Sequence, residues 1–305
     1  MRTLVVINTR SGGGDAGLYD YVRALGTTGT EVTLRFCDGT QRFEDLVADA
    51  ATFERVVAAG GDGTVSAVCY ALRDTGIPVL VYPAGTANLL ALNLGMPHEP
   101  RTLADVTMTG VPTRFDVGEI VPAPPAKDGD ACTGFMVMAG AGYDASVIEA
   151  AGAFKSTLGA AAYLLAAVGN FAPTPARFVL DLDGRRIDTD GIAVLVVNFG
   201  RLQFDIEVAR GADPRDGAFD VAVLRSRNVA GLVPAVIAGI FDRGGDRDAV
   251  PGIDVYAASH VRIESEPTLH MQYDGEVVDA CTPFEAQVLP GAATLLLPPD
   301  SPFAR

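Results

Sequence analysis

The feature that most constrains the fold of this chain is a fourfold alternation of apolar runs and helix-like segments in its first hundred residues. The apolar runs cover residues 2–8, 30–36, 54–60 and 77–85, and a segment with helical spacing follows each of them. The first run, RTLVVIN, has no polar alternation, which is typical of a strand buried on both faces of a parallel sheet. The pattern therefore predicts an open α/β sheet with right-handed crossovers.

After about residue 112 the pattern changes to a series of strand-like runs. Four of them are AFDVAVLRS, VYAASHVRIES, LHMQYDGEVVD and FEAQVLP. They predict a second, mostly antiparallel domain, either a β-sandwich or a barrel. Two apolar segments, 158–169 and 229–241, interrupt this region, and both are shorter than the roughly 18–20 residues that span a bilayer.

Composition narrows the classes of function. The chain has 305 residues and a formal net charge of −15, which favours two domains and disfavours nucleic acid as a partner. Its four cysteines and three histidines are too scattered for a zinc set or a serine–histidine triad. The N-terminus is too quickly polar for a signal peptide, so we expect a cytoplasmic protein.

Three glycine-rich turns follow strands and carry the first chemical signal. They lie at residues 9–14, 60–63 and 83–86, and the carboxyl ends of parallel strands are where such sheets bind ligands. Bare backbone amides before a helix can cradle a phosphate. Asp62, between two glycines, could hold a metal-bound water or accept a proton, and an Asx turn is the alternative interpretation.

Four motifs in series resemble a known family. The segments AGGDGT, PAGTANLLALNLGMP, GADPRDGAFDVAVL and YDGE, in this order, are similar to the diacylglycerol kinase catalytic-domain family, above all to its soluble bacterial lipid kinases, relatives of sphingosine kinases. The resemblance covers essentially the whole chain. It implies a Rossmann-like, nucleotide-binding α/β domain of residues 1–115 with the tail 293–305, and a β-sandwich lipid-substrate domain of residues 116–292, as in NAD kinase/diacylglycerol kinase-like folds.

The resemblance also implies the reaction and the site residues. The enzyme would use ATP and Mg²⁺ to transfer the γ-phosphoryl group to a lipid hydroxyl, most simply that of diacylglycerol. The implied nucleotide-binding residues are Asn8, Arg10, Ser11, Gly12, Gly60, Gly61, Asp62, Gly63, Thr64, Thr86 and Asn88. The implied catalytic carboxylates are Asp62, Asp274 and Glu276, of which Glu276 matches the family's proton acceptor. The implied structural Mg²⁺ ligands are Asp213, Asp216 and Ala218, the first and last through backbone carbonyls.

Departures from the family pattern bear on how ATP is positioned, among them a threonine that relatives carry after the second strand, where this chain has Arg35 or Thr40 nearby. The first turn, SGGGDAG, lacks the lysine that many relatives carry near its end, a loss for which Arg10 could compensate, and GTANLL replaces the commoner GTAND. Two other functions stay open: a non-catalytic regulator that binds nucleotide or lipid, and an NAD kinase, which shares GGDGT. The expected partners are a lipid alcohol and, transiently, the inner membrane face, with strand pairing between sandwich domains as a route to a homodimer.

Overall fold

The structure is a computed structural model of the chain. It describes residues 1–11, 16–121, 132–142, 174–201, 209, 211–225 and 252–304. The described chain forms two compact units, Met1–Val117 with Leu289–Arg305, and Gly118–Val288. The predicted apolar segments 158–169 and 229–241, and Gly12, lie outside the described residues.

The first unit contains a parallel sheet of the order β2-β1-β3-β4, with the end of β16 beside β4. Its strands are β1 (Arg2–Asn8), β2 (Glu31–Cys37), β3 (Arg55–Gly60) and β4 (Val79–Pro83). Its helices are α1 (Ala16–Thr27), α2 (Phe43–Leu46), α3 (Asp62–Ala71), α4 (Leu89–Leu94) and α5 (Pro100–Thr109). Leu4, Val5 and Val6 of β1 are fully buried, which is why that strand shows no polar alternation. The predicted parallel α/β unit is confirmed.

The second unit contains antiparallel strands in two sheets. Its strands, with β5 and β16 shared with the first unit, are β5 (Val111–Val121), β6 (Thr133–Phe135), β7 (Met138–Ala141), β8 (Ala176–Leu182), β9 (Arg185–Gly191), β10 (Ala193–Val197), β11 (Phe219–Leu224), β12 (Ile253–Ala258), β13 (His260–Glu266), β14 (His270–Tyr273), β15 (Glu276–Cys281) and β16 (Phe284–Leu297). One sheet contains β16-β13-β8-β9, and the other is β12-β11-β10-β7-β14-β15. A core that includes Phe178 and Leu180 from the first sheet and Phe219 and Met271 from the second lies between them, which confirms the sandwich.

Two helices differ from the sequence prediction. The predicted helix 41–51 is split into α2 and a 3₁₀ turn, Ala50–Thr52. The Ala50 amide donates to the Val47 carbonyl, while Arg35 donates to the Leu46 carbonyl that a continuous helix would have used. The predicted helix 86–95 begins only at Leu89, because Asn88 adopts a left-handed conformation with φ 49°. No helix in the described part of the chain is long and apolar enough to cross a membrane.

Candidate functional site

The described start of the first turn, residues 9–11, meets the second and third glycine-rich turns at the carboxyl edge of the parallel sheet. Asn8, the last residue of β1, donates through Nδ2 to the Thr64 hydroxyl at 2.7 Å. The Gly61 amide donates to the Ser11 hydroxyl at 3.4 Å, and the Ala84 amide donates to the Gly60 carbonyl at 3.1 Å. The ends of β1, β3 and β4 are therefore joined into one surface in the first unit.

Close contact explains two of the glycines in the second and third turns, Gly60 and Gly85. A Cβ atom on Gly85 would lie 2.4 Å from the Gly61 Cα, and one on Gly60 would lie 2.5 Å from the Thr64 Cβ. Both distances are shorter than any that real side chains adopt. Gly85 was absent from the predicted site residues, although the PAG segment that follows β4 is a visible signal for it.

Asp62 links two helices across this surface. It is the first residue of α3 and only 7% exposed. Its Oδ2 accepts the Leu89 amide at 2.9 Å, and its Oδ1 accepts the Leu90 amide at 2.8 Å. Burial raises the pKa of the Asp62 carboxyl above its usual value, because desolvation outweighs these two hydrogen bonds. The carboxylate therefore caps the first turn of α4.

The loop before α4 is closed by Asn88. Its Oδ1 accepts the Gly85 amide, and its Nδ2 donates to the Gly85 carbonyl, both at 2.8 Å. Thr86, at the tip of this loop, has an exposed side chain. Arg10 is also exposed, its amide donates to Asn8 Oδ1 at 2.9 Å, and its guanidinium covers Gly39. Thr86 and Arg10 are thus polar groups that solvent can reach beside the turns.

The predicted carboxylates Asp274 and Glu276 lie in the second unit, on the β14–β15 hairpin. Asp274 and Gly275 form its two-residue turn, with φ values of 46° and 84°. The Asp274 carboxylate is 5% exposed and accepts three backbone amides, at 2.9, 2.8 and 3.1 Å, from Met136, Val137 and Met138. Glu276 begins β15 and is exposed. Asp274 therefore holds the segment between β6 and β7, whereas Glu276 is open to solvent.

The predicted Mg²⁺ ligands lie in the turn before β11. Asp216 Oδ1 accepts the Ala218 amide at 3.0 Å, and the Asp213 carboxylate pairs with Arg215 at 2.9 Å. Burial, and then the neighbouring Asp216 charge, raise the pKa of Asp220. The Asp216 carboxylate and the backbone carbonyls are oxygen donors that suit Mg²⁺, although the Asp213 carbonyl already accepts two amides. Within the described ranges, no group of three or more His, Cys, Asp or Glu side chains could hold a metal ion.

The fold defines a class of proteins with a parallel α/β unit, whose strands end in glycine-rich turns, and an antiparallel β-sandwich unit. Two family models match the chain: the diacylglycerol kinase catalytic domain over residues 2–120, and the YegS C-terminal NAD kinase beta sandwich-like domain over residues 137–297. The chain belongs to the diacylglycerol kinase catalytic-domain family and is a lipid kinase of the diacylglycerol-kinase-like type. The resemblance inferred from the four motifs is thereby confirmed.

Two of three similar proteins carry kinase names that agree with this assignment. A probable lipid kinase YegS-like from Pseudomonas putida is 31% identical, over 85% of this chain and 82% of that protein. A diacylglycerol kinase from Mycobacterium tuberculosis is 28% identical, over 80% of this chain and 77% of that protein. An uncharacterized protein from Synechocystis sp. is 27% identical over 81% of this chain, which spans only 55% of that longer protein.

Solved structures show the same fold. Two proteins from Bacillus anthracis that carry the words diacylglycerol kinase in their names match with TM-scores of 0.75 and 0.69, at 20% and 18% identity. Each match covers 98% of this chain, with 95% and 97% of the other chains. A yeast NADH kinase matches with a TM-score of 0.55 at 11% identity, over 98% of this chain and 84% of that chain.

Proposed function

We propose that this lipid kinase uses ATP and Mg²⁺ to phosphorylate the hydroxyl of a lipid alcohol, most simply diacylglycerol. One observation carries the proposal: the second and third glycine-rich turns are in backbone contact at Gly61 and Gly85 at the N-terminus of α3, and Ser11 of the first turn joins them there. Phosphoryl transfer needs mainly positioning and neutralisation of charge. Amides at a helix N-terminus provide both for a phosphate, even in a chain with a net charge of −15.

Each turn has a part in holding the nucleotide. The main cradle is the backbone of residues 60–64, whose Thr64 hydroxyl is fixed by Asn8. Ser11, Thr86 and Asn88 belong to the two flanking turns. Arg10 supplies positive charge that a lysine supplies in many relatives, and its exposure leaves the guanidinium able to reach a phosphate. ATP contributes the phosphoryl group that is transferred.

Glu276 is the proposed proton acceptor for the lipid hydroxyl. Of the three candidate carboxylates, Asp62 and Asp274 are nearly buried and both of their oxygens accept backbone amides. Glu276 is exposed and therefore able to approach an incoming hydroxyl. In this proposal Asp62 and Asp274 keep the two units' backbone segments in position, and Glu276 takes the proton.

Mg²⁺ has a proposed structural place in the turn that contains Asp213, Asp216 and Ala218. The Asp216 carboxylate would be the charged ligand, and the backbone carbonyl oxygens of Asp213 and Ala218 would be the other protein ligands. A cation there would offset the repulsion between Asp216 and Asp220 that contributes to the raised pKa of Asp220. Binding to the folded chain would stabilise it, so Mg²⁺ should raise the melting temperature of the natural chain and not that of Asp216→Asn.

The kinase proposal is tested by Mg²⁺-dependent transfer of label from γ-labelled ATP into detergent-dispersed lipid alcohols. Glu276→Gln should lower turnover at least about a hundredfold, since general base catalysis contributes roughly 10²–10⁴. Asp279→Asn removes another exposed carboxylate from the same strand and should leave turnover unchanged. Absence of label from every lipid alcohol would contradict the proposal, and label in NAD would favour an NAD kinase. Nucleotide binding without transfer to any acceptor would favour a regulator.

The same proposal includes where the enzyme acts. A lipid alcohol resides in a bilayer while ATP is cytoplasmic, so we propose a cytoplasmic protein in transient contact with the inner membrane face. The charge of −15 makes that contact hydrophobic rather than electrostatic, and it argues against nucleic acid as a partner. Sedimentation with neutral vesicles should be insensitive to salt. A homodimer through sandwich strands would appear as a doubled mass in sedimentation equilibrium.

A further inference from the structure

A thiol and an imidazole lie side by side on the surface of the second unit. Cys281 and His270 are directly opposite each other where β15 pairs with β14. The Cys281 Sγ and the His270 Nδ1 are 3.6 Å apart, which is within hydrogen-bond reach for sulfur. Both residues are exposed, so small reagents can reach the pair.

This pair is remote from the candidate catalytic carboxylate. Glu276 and Cys281 are the first and last residues of β15. Their partners on β14, Tyr273 and His270, are three residues apart, so at about 3.4 Å per residue the two ends are separated by roughly 10 Å along the strands. Because β15 is an outer strand among the described strands of its sheet, a group attached to Cys281 at this edge displaces none of their pairings. The pair is therefore a surface feature outside contact distance of Glu276, the proposed proton acceptor.

The chemistry of the pair is that of an assisted nucleophile. The thiolate is the reactive form of cysteine, and an ordinary thiol is only a few per cent ionised at neutral pH. A ring nitrogen within hydrogen-bond reach accepts the thiol proton and leaves a thiolate beside an imidazolium cation. Asp279, two residues earlier on the same strand, opposes this ionisation, but it is exposed and its charge is screened by water and salt.

We propose that Cys281, assisted by His270, is a site of reversible covalent modification by low-molecular-weight disulfides. His270 takes the proton from Sγ, and the thiolate attacks one sulfur of the disulfide. A bond forms between Sγ and that sulfur while the disulfide's own S–S bond breaks. The other half leaves as a thiolate that takes up the proton, so Cys281 is oxidised and the released thiol is reduced. A second thiol reverses the exchange.

The chain provides its own comparison thiols. Cys132 is also exposed, whereas Cys37 and Cys69 are buried. Cys132 has no hydrogen-bond partner among the described residues. An imidazole that accepts the thiol proton makes the attacking sulfur more reactive, and only Cys281 has such a neighbour among the described residues. We therefore expect Cys281 to react roughly threefold to tenfold faster than Cys132 at pH 7.

The test measures the reaction of the folded chain with an excess of the aromatic disulfide DTNB at pH 7. Cys281→Ser should remove the faster phase, and Cys132→Ser should retain it. In the Cys132→Ser background, His270→Asn should slow the remaining exposed thiol to the Cys132 rate, while the exposed control His98→Asn should have no effect. Mass spectrometry after glutathione disulfide should find one glutathione on Cys281, which dithiothreitol removes.

Equal rates for Cys132 and Cys281 in the unaltered chain would overturn the proposal, and so would an unchanged rate in His270→Asn. The comparison within the unaltered chain does not depend on any variant, so it decides the question even if His270→Asn folds poorly. In urea the two thiols should react at similar rates. If Cys281 still reacted faster than Cys132 in urea, the difference in rate would come from the local sequence and not from the His270 contact. That result would also refute the proposal.

Discussion

Replacing Asp62 by asparagine separates a positioning role from a proton-transfer role for this residue. The side chain keeps its size and one acceptor oxygen, but its new amide group faces one of the two backbone amides, of Leu89 and Leu90, that the carboxylate accepted. A buried donor left without an acceptor costs about 1–3 kcal/mol. Removing a buried charge returns part of that cost, so we expect a net loss of about 1–2 kcal/mol in unfolding free energy.

The expected change in KM and kcat follows from the contact of Asp62 with the first two amides of α4. A loosened α4 start shifts the Gly85–Asn88 loop, which is in contact with the cradle at Gly61. The variant should raise KM for ATP about tenfold, equivalent to about 1.4 kcal/mol, while kcat falls less than tenfold. Steady-state kinetics and urea unfolding measure these quantities, and Asp20→Asn, an exposed carboxylate on α1, serves as the control.

One result would refute this reasoning. If Asp62→Asn lowered kcat a hundredfold or more with KM and stability unchanged, Asp62 would be acting on the transferred proton and not on the backbone.

The pH dependence of stability gives a second readout. The pKa of Asp62 is higher in the folded chain than its usual value, so the folded state binds this proton more tightly. Its contribution to stability is therefore fully present below the usual pKa and is lost as pH rises through the folded pKa. Asp62→Asn should remove this part of the dependence, and urea titrations across the acid range would show it.

Two further substitutions test the backbone contacts. Gly85→Ala places a Cβ against the Gly61 Cα and should weaken ATP binding tenfold or more in equilibrium titrations. Gly26→Ala is the control, because a Cβ there has nothing within 4 Å, and in α1 it should stabilise the chain by up to about 1 kcal/mol. Equal effects of the two substitutions would contradict the close-contact explanation. Asp274→Asn leaves at least one of three backbone amides without its acceptor, so it should lower the unfolding free energy by about 2–4 kcal/mol. The affinity for ATP should change little. An unchanged midpoint of urea unfolding would argue that Asp274 serves catalysis alone.

The sequence by itself determined those features that depend on short-range periodicity. The unbroken apolar run of β1 specifies a strand covered on both faces, and strand–helix alternation then specifies a parallel sheet. Asp274 and Gly275 specify a two-residue turn, because such a turn needs a positive φ at both positions and aspartate and glycine are among the few residues that accept it. The motif order was enough to identify the family.

Only the tertiary structure decided which groups the Asp62 and Asp274 carboxylates contact. Asp62 meets amides 27 and 28 positions further along the chain, and Asp274 meets amides from 136 to 138 positions earlier. No local pattern encodes such contacts, because they arise from the packing of separate elements. The first turn of α4 likewise depends on a distant residue, because its Leu89 and Leu90 amides donate to Asp62. An aspartate between glycines is visible in the sequence, but its burial and its partners follow from the fold.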